Sequence, residues 1–161
     1  MKPKVILLVL TAIIFFSTNL LMAQEPCITN AWEAYNAGRY INAIRYADQC
    51  INNDFEARAA RIQHRLDSLN ITPGVGKVND IEKNKIFQNG LLNDVATACY
   101  VKGRSAEALY RQNTNGNRAY RQIAIDAYEL VCRRYSKGRC WDPQGWFWSP
   151  CEAASVRLPV Q

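Results

Sequence analysis

The chain has 161 residues, six cysteines and a formal net charge of +6. This length supports one domain with its own hydrophobic core and is too short for two ordinary domains once a leader is removed. The mild basic excess is spread along the chain rather than clustered, which argues against nucleic acid and favours an acidic partner or surface.

Residues 1–23 are predicted to be a secretory signal peptide. Two lysines near the start precede an apolar run over 5–16, and a small residue, Ala23, ends the segment. This three-part pattern predicts cleavage after Ala23. The next residue is Gln24 rather than cysteine, so lipid attachment at that position is not expected. An uncleaved membrane anchor is the alternative, because the apolar stretch approaches the minimum spanning length. After cleavage no stable membrane span is expected.

Residues 30–54 are predicted to form a helical hairpin. Trp32 and Tyr35 precede Gly38, and the apolar side chains that follow it recur at helical spacing. Gly38 is predicted to turn the chain, because a residue without a Cβ easily adopts the positive φ that ends a helix.

A disulfide is predicted to close this hairpin. Cys27 lies 11 residues before Gly38 and Cys50 lies 12 after it, so an antiparallel hairpin places the two cysteines opposite each other. Disulfides are the default for an even number of cysteines in an oxidising compartment. A Cys27–Cys50 bridge would contribute about 3 kcal/mol by constraining the unfolded chain. The alternative is that both are buried thiols.

The rest of the chain is predicted to be mostly helical. In chain order the elements are a helix over 56–70, a loop over 72–80, a helix from 81, a helix from 91 that turns at Gly103 and continues to Gln112, a loop over 113–117, a helix over 118–135 and a short helix with Ser149 as N-cap and Pro150 at its first position. Asn89-Gly90 marks either a turn or a weak point within one longer helix that reaches Lys102.

The pattern Tyr-x-x-Gly-Arg occurs three times, at 35–39, 100–104 and 135–139. The copies are 65 and 35 residues apart, close to two units and one unit of the roughly 34-residue helix-turn-helix period. The stretch 31–44, Ala-Trp-Glu-Ala-Tyr-Asn-Ala-Gly-Arg-Tyr-Ile-Asn-Ala-Ile, resembles the middle of a tetratricopeptide repeat. The resemblance extends over most of residues 24–139, strongly in the first and third units and loosely in the second.

This resemblance implies an all-α fold, a short superhelical array of antiparallel helical hairpins with about three and a half repeats. In that family the first helices of the hairpins line a concave groove that binds peptides. The residues that the resemblance places in this groove are Trp32, Tyr35, Asn93, Thr97, Tyr100, Tyr128 and Tyr135. Tyrosine suits such a surface because it combines broad apolar contact with a hydroxyl. The alternative is that these rings only pack on the neighbouring helix.

Residues 140–161 depart from the repeat and are predicted to form an aromatic, cysteine-containing cap. Its clustered rings are Trp141, Trp146, Phe147 and Trp148. Exposed, they would offer a platform for glycan, peptide or a membrane interface. Buried, they would close the last helix pair, which is the interpretation we favour. A Cys140–Cys151 disulfide would staple this segment, and a Cys99–Cys132 disulfide would join adjacent helices.

Catalytic, metal and cofactor sites are not expected. Gly74-Val75-Gly76-Lys77 lacks the first glycine and the final Ser or Thr of a phosphate-binding loop. His64 is the only histidine and no C-x-x-C pair occurs, so neither a Ser-His-acid triad nor a zinc site has sequence support. Arg58, Arg61 and Arg65 form a stripe that either binds an anion or is a solvated helix face.

The sequence therefore predicts a secreted or periplasmic binding scaffold rather than an enzyme. Its partner would be a peptide or protein segment in the concave groove. The alternative is a glycan-binding or envelope-binding module that uses the aromatic segment 141–148.

Overall fold

The computed structural model describes residues 26–112 and 117–158. Its elements are α1 (Pro26–Asn36), α2 (Tyr40–Cys50), α3 (Asn53–Ser68), α4 (Asp80–Phe87), α5 (Gly90–Gln112), α6 (Arg118–Arg134), β1 (Cys140–Asp142), β2 (Trp146–Trp148) and α7 (Pro150–Ser155). The described chain is mostly helical, as predicted, with one small sheet. The predicted signal peptide and nearly all of the predicted loop over 113–117 lie outside the described residues.

The α1–α2 hairpin turns at Gly38, which has a φ of 69°. The amide of Arg39 donates to the Ala34 carbonyl at 2.8 Å across this turn, which satisfies an acceptor at the end of α1. Small residues on both helices, including Ala31 and Ala43, are fully buried and permit close packing. Cys27 and Cys50 form a disulfide with their Cα atoms 5.7 Å apart, the pair that the hairpin geometry predicts.

Helix α5 is the centre of the molecule, because α1, α2, α3, α6 and α7 all pack against it. It is 23 residues long and contributes side chains to both clusters of the hydrophobic core. One cluster lies between α5 and the α1–α2 hairpin, and the other joins α5 to α3, α6 and α7.

Asn89 belongs to a turn between α4 and α5, because α4 ends at Phe87 and α5 begins at Gly90. A turn here is one of the two interpretations left open by the sequence.

The predicted turn at Gly103 is wrong, because α5 continues through Gly103 to Gln112. Gly103 is buried against the Tyr128 side chain of α6, and three ring carbons of Tyr128 lie within 3.0 Å of where a Cβ would be. Glycine at this position permits the close approach of α5 and α6. The second copy of the repeated pattern therefore does not form a helical hairpin.

Side-chain caps define the beginnings of several helices. Asn52 accepts a hydrogen bond from the Phe55 amide at the start of α3, and Asn79 and Asn117 cap α4 and α6 in similar ways. Ser149 accepts from the Glu152 amide at 3.2 Å, with Pro150 as the first residue of α7. This start of α7 is the one that the sequence predicts.

Strands β1 and β2 form an antiparallel hairpin in which Trp141 pairs with Phe147. The backbone of Phe147 also exchanges two hydrogen bonds with Gly76, at 2.7 and 2.9 Å. The loop between α3 and α4 is thereby attached to the C-terminal hairpin. Residues 140–158 thus pack as part of the helical core.

The two predicted pairings of the other four cysteines are wrong. Cys132 on α6 is bonded to Cys151 on α7, with a Cα separation of 4.6 Å, because α7 packs along α6. Cys99 and Cys140 are free thiols. Burial raises the pKa of each to about 12, so both are protonated at neutral pH.

None of the helices in the described ranges is long and apolar enough to cross a membrane. Within the same ranges no three histidine, cysteine or acidic side chains come together in a way that would hold a metal ion.

Candidate functional site

Five of the seven residues predicted to line a concave groove are buried. They are Asn93, Thr97, Tyr100, Tyr128 and Tyr135, of which the most exposed retains only 8% of its accessible surface. The other two, Trp32 and Tyr35, are half-buried. The predicted set therefore does not form an open groove in this structure.

The two polar members of that set, Asn93 and Thr97, form hydrogen bonds inside the protein. Asn93 donates to the Ile86 carbonyl at 2.8 Å and accepts from the Arg139 amide at 2.9 Å. Thr97 donates to the Asn93 carbonyl one turn earlier on α5. These bonds satisfy the buried polar groups of both side chains and join α4, α5 and the start of β1.

The tyrosines of the first two pattern copies belong to one aromatic cluster, whereas Tyr135 lies elsewhere. The aromatic cluster consists of Trp32, Tyr35, Tyr40, Tyr100, Tyr128 and Trp148. Trp32 is its hub, with ring centroids 5.9 Å from Tyr35 and 6.4 Å from Tyr100. Tyr135 instead donates a hydrogen bond to Glu56 on α3 at 3.1 Å. Burial and the Glu56 carboxylate raise the pKa of the Tyr135 hydroxyl.

Arg104 lies between two rings of this cluster. Its guanidinium carbon is 5.3 Å from the Tyr35 ring centroid and 5.9 Å from that of Tyr100, and Nη1 donates to the Tyr100 hydroxyl at 3.1 Å. Arg104 is half-buried and forms no ion pair with any residue in the described part of the chain. Among the described residues its guanidinium therefore contacts two ring faces and one hydroxyl but no carboxylate.

Glu107 lies one turn further along α5 and, unlike Arg104, is paired with residues of opposite charge. Glu107 is 3% exposed, and its carboxylate accepts from the Tyr128 hydroxyl at 2.7 Å and from Arg157 at 3.0 and 3.2 Å. Arg111 lies 2.6 Å away. Burial opposes ionisation, but the Tyr128 hydrogen bond and the arginine charges outweigh it and lower the pKa of the Glu107 carboxyl.

These contacts determine what the Glu107 network does. Both carboxylate oxygens are already occupied by donors from α5, α6 and the segment after α7. The network therefore joins the C-terminal segment to α5 and α6.

The aromatic residues of the C-terminal hairpin do not form one platform, because alternate strand residues lie on opposite faces. Trp148 packs against Trp32 and Tyr100. Phe147 is buried and contacts Trp141 with a centroid separation of 4.8 Å. The Lys83 ammonium lies 4.4 Å from the Trp141 ring centroid, and Trp146 is half-buried. Trp148 therefore belongs to the aromatic cluster, whereas Trp141 and Phe147 contact each other.

A second candidate surface lies between α3 and the start of α5. A shallow groove of about 380 Å³ is lined by Arg58, Arg61, Ile62, Arg65 and Leu91. It contains the complete arginine stripe identified in the sequence. The three arginines are exposed.

The chain matches no family model, no curated protein and no solved structure. The resemblance to tetratricopeptide repeats therefore depends on the residues 31–44 and on the hairpin that they form.

The sequence did not point to Tyr40, Arg104, Glu107 or Arg157 as site residues. A signal for Arg104 was present, since it follows Tyr100 by four residues and such pairs are neighbours on one helix face. The predicted turn at Gly103 concealed that relation. Arg157 had no local signal, because its contact with Glu107 joins residues 50 positions apart.

Proposed function

We propose that this chain is a secreted or periplasmic binding module that contacts a protein segment carrying a carboxylate. The contact would be made by the Arg104 surface, which we define as Trp32, Tyr35, Tyr40 and Arg104. In this proposal the α1–α2 hairpin is a tetratricopeptide-like unit, and the two disulfides suit an oxidising compartment.

The observation that carries the proposal is the guanidinium of Arg104, which lies between tyrosine rings without a carboxylate partner in the described chain. The nearest acid along α5, Glu107, is already bound to Arg111 and Arg157. A partner carboxylate would complete the charge pairing of Arg104, and the planar guanidinium favours a two-point contact.

The surrounding side chains support the same function. Trp32, Tyr35 and Tyr40 are each half-buried, so each ring is held by the core while part of it stays accessible. Rigid aromatic side chains beside an arginine are typical of residues that contribute most to binding energy at interfaces. Their fixed positions reduce the conformational entropy lost on binding.

The test is affinity capture from the native compartment, followed by measurement of the dissociation constant for each captured protein. We expect Arg104→Glu and Tyr35→Ala each to weaken binding of the relevant partner by about tenfold or more. Arg118→Glu is the matched control, because Arg118 is an exposed arginine on α6. If Arg104→Glu leaves the affinity of every captured protein unchanged, the Arg104 surface is not the binding site.

A further inference from the structure

The arginine groove (Arg58, Arg61, Ile62, Arg65 and Leu91) is separate from the Arg104 surface. Its arginines follow one another at intervals of three and four residues, which places them on one face of α3. Along the helix axis they are separated by about 4.5 Å and about 6 Å. Neighbouring guanidinium groups are therefore within reach of a single tetrahedral anion.

The acidic residues of α3 do little to neutralise this face. Glu56 is engaged with Arg134 and Tyr135, and Asp67 pairs with Lys137 at 3.0 Å. Both contacts lie toward α6 and the loop that follows it. The third acidic residue of α3, Asp54, pairs with the groove arginine Arg58 at 3.5 Å between largely exposed side chains, where such pairs are weak.

The groove is partly arranged before any ligand arrives. Arg65 donates to the side-chain oxygen of Asn89 at 3.0 Å, and Asn89 is itself buried and donates to the Lys85 carbonyl. Arg61 forms no ion pair or hydrogen bond within residues 26–112 and 117–158. One arginine is thus held in position and its neighbour has unused donors.

We propose that the arginine groove binds an anionic ligand with two or more phosphate groups on a partly apolar carrier. A phosphate group carries about two negative charges and three acceptor oxygens, compared with one charge and two oxygens for a carboxylate, so it matches two neighbouring guanidiniums more fully. Ile62 and Leu91 supply the apolar floor for the carrier. The groove volume of about 380 Å³ is within the usual range for small-ligand sites.

The first experiment titrates the protein with sodium tripolyphosphate by calorimetry at constant ionic strength. We expect one site, and Arg61→Glu should weaken binding by about tenfold or more, because it removes charge-assisted hydrogen bonds and adds repulsion. Arg118→Glu and Arg104→Glu should stay within about twofold of the parent. Unchanged binding in Arg61→Glu, or an equal loss in Arg118→Glu, would overturn the proposal. Arg104→Glu is expected to leave the affinity for tripolyphosphate unchanged, so this titration is independent of the proposed protein-binding function.

A second variant should strengthen binding. Asp54→Asn removes an acidic side chain that competes with the ligand for Arg58, and we expect tripolyphosphate affinity to rise about twofold to threefold. Asp54 is exposed, so the folded structure tolerates this change. Weaker binding in Asp54→Asn would contradict the assigned site.

The chemistry and source of the ligand are tested with three further probes. Citrate should bind at least about tenfold more weakly than tripolyphosphate, and equal binding with the same dependence on Arg61 would overturn the phosphate assignment. Arg61-dependent sedimentation with cardiolipin vesicles, whose headgroup carries two phosphates, but not with phosphatidylcholine vesicles, would identify a lipid headgroup as the source. Binding of tripolyphosphate without binding to either vesicle would identify a soluble phosphate, and binding to neither probe would overturn the proposal.

Discussion

Gly38 and Gly103 occupy the same position in two copies of one five-residue pattern, yet they have opposite structural roles. Gly38 ends α1 with a φ of 69° and has no atom within 4 Å of where a Cβ would be. Gly103 lies in the middle of α5, where the Tyr128 ring fills that space. The first glycine is needed for its backbone conformation and the second for the close approach of two helices.

The surroundings of the two glycines explain this difference. The α1–α2 hairpin is closed locally by its turn and by the Cys27–Cys50 disulfide. The α5–α6 pair is joined by contacts between distant residues, including the bonds of Glu107 to Tyr128 and Arg157. A turn glycine is therefore typical of the first region, and a glycine at a helix contact is typical of the second.

The largest effect is expected from removing the charge at the centre of the α5–α6 region. Glu107→Gln should lower the free energy of unfolding at pH 7 by about 3 kcal/mol, because the buried Tyr128 hydroxyl and the half-buried Arg157 lose their charged partner. Denaturant unfolding measures this loss. The exposed Glu129→Gln on α6 is the control and should change stability by less than about 0.5 kcal/mol. A similar small change in Glu107→Gln would show that the network does not stabilise this region.

The pH dependence of stability provides a second test of the Glu107 network. The folded-state pKa of Glu107 is below its ordinary value of 4.5, so its ionised form stabilises the protein above about that pH. This stabilisation should be lost as the pH falls from about 4.5 toward the folded-state pKa. Glu107→Gln should reduce this part of the pH dependence.

A smaller effect is expected at the helix contact itself. Gly103→Ala should destabilise the protein by about 2 kcal/mol, because the added methyl group overlaps the Tyr128 ring and forces a shift. Helix propensity alone predicts the opposite sign, a gain of about 1 kcal/mol for alanine over glycine in a helix interior. A measured increase in thermal stability would therefore contradict the close approach of α5 to α6.

The smallest effect is expected at the turn. Gly38→Ala should cost about 1 kcal/mol, because alanine is strained at a positive φ while the site has room for its methyl group. Gly38→Asn should cost less, since asparagine adopts this conformation more easily. Denaturant unfolding of both variants tests this order, and an alanine variant as stable as the asparagine variant would contradict the role of the turn.

Much of the secondary structure could be predicted from the sequence, whereas the candidate sites were predicted only in part. Helical periodicity and cap residues such as Ser149 depend on neighbours within one or two turns, so they leave local signals. The arginine stripe of α3 was visible for the same reason. The sequence did not show which face of a helix would be covered, and Tyr100, Tyr128 and Tyr135 were therefore placed in an open groove although all three are buried.

The sequence by itself determined the mostly helical class, the hairpin at Gly38 and the position of Cys27 opposite Cys50, because each follows from spacing along a short stretch of chain. Only the tertiary structure decided that Gly103 continues a helix, that Cys132 pairs with Cys151 and that Arg104 contacts two tyrosine rings rather than an acidic residue of the described chain. Those outcomes depend on which distant elements pack against α5. The same five-residue pattern therefore forms a turn in one place and a helix contact in another.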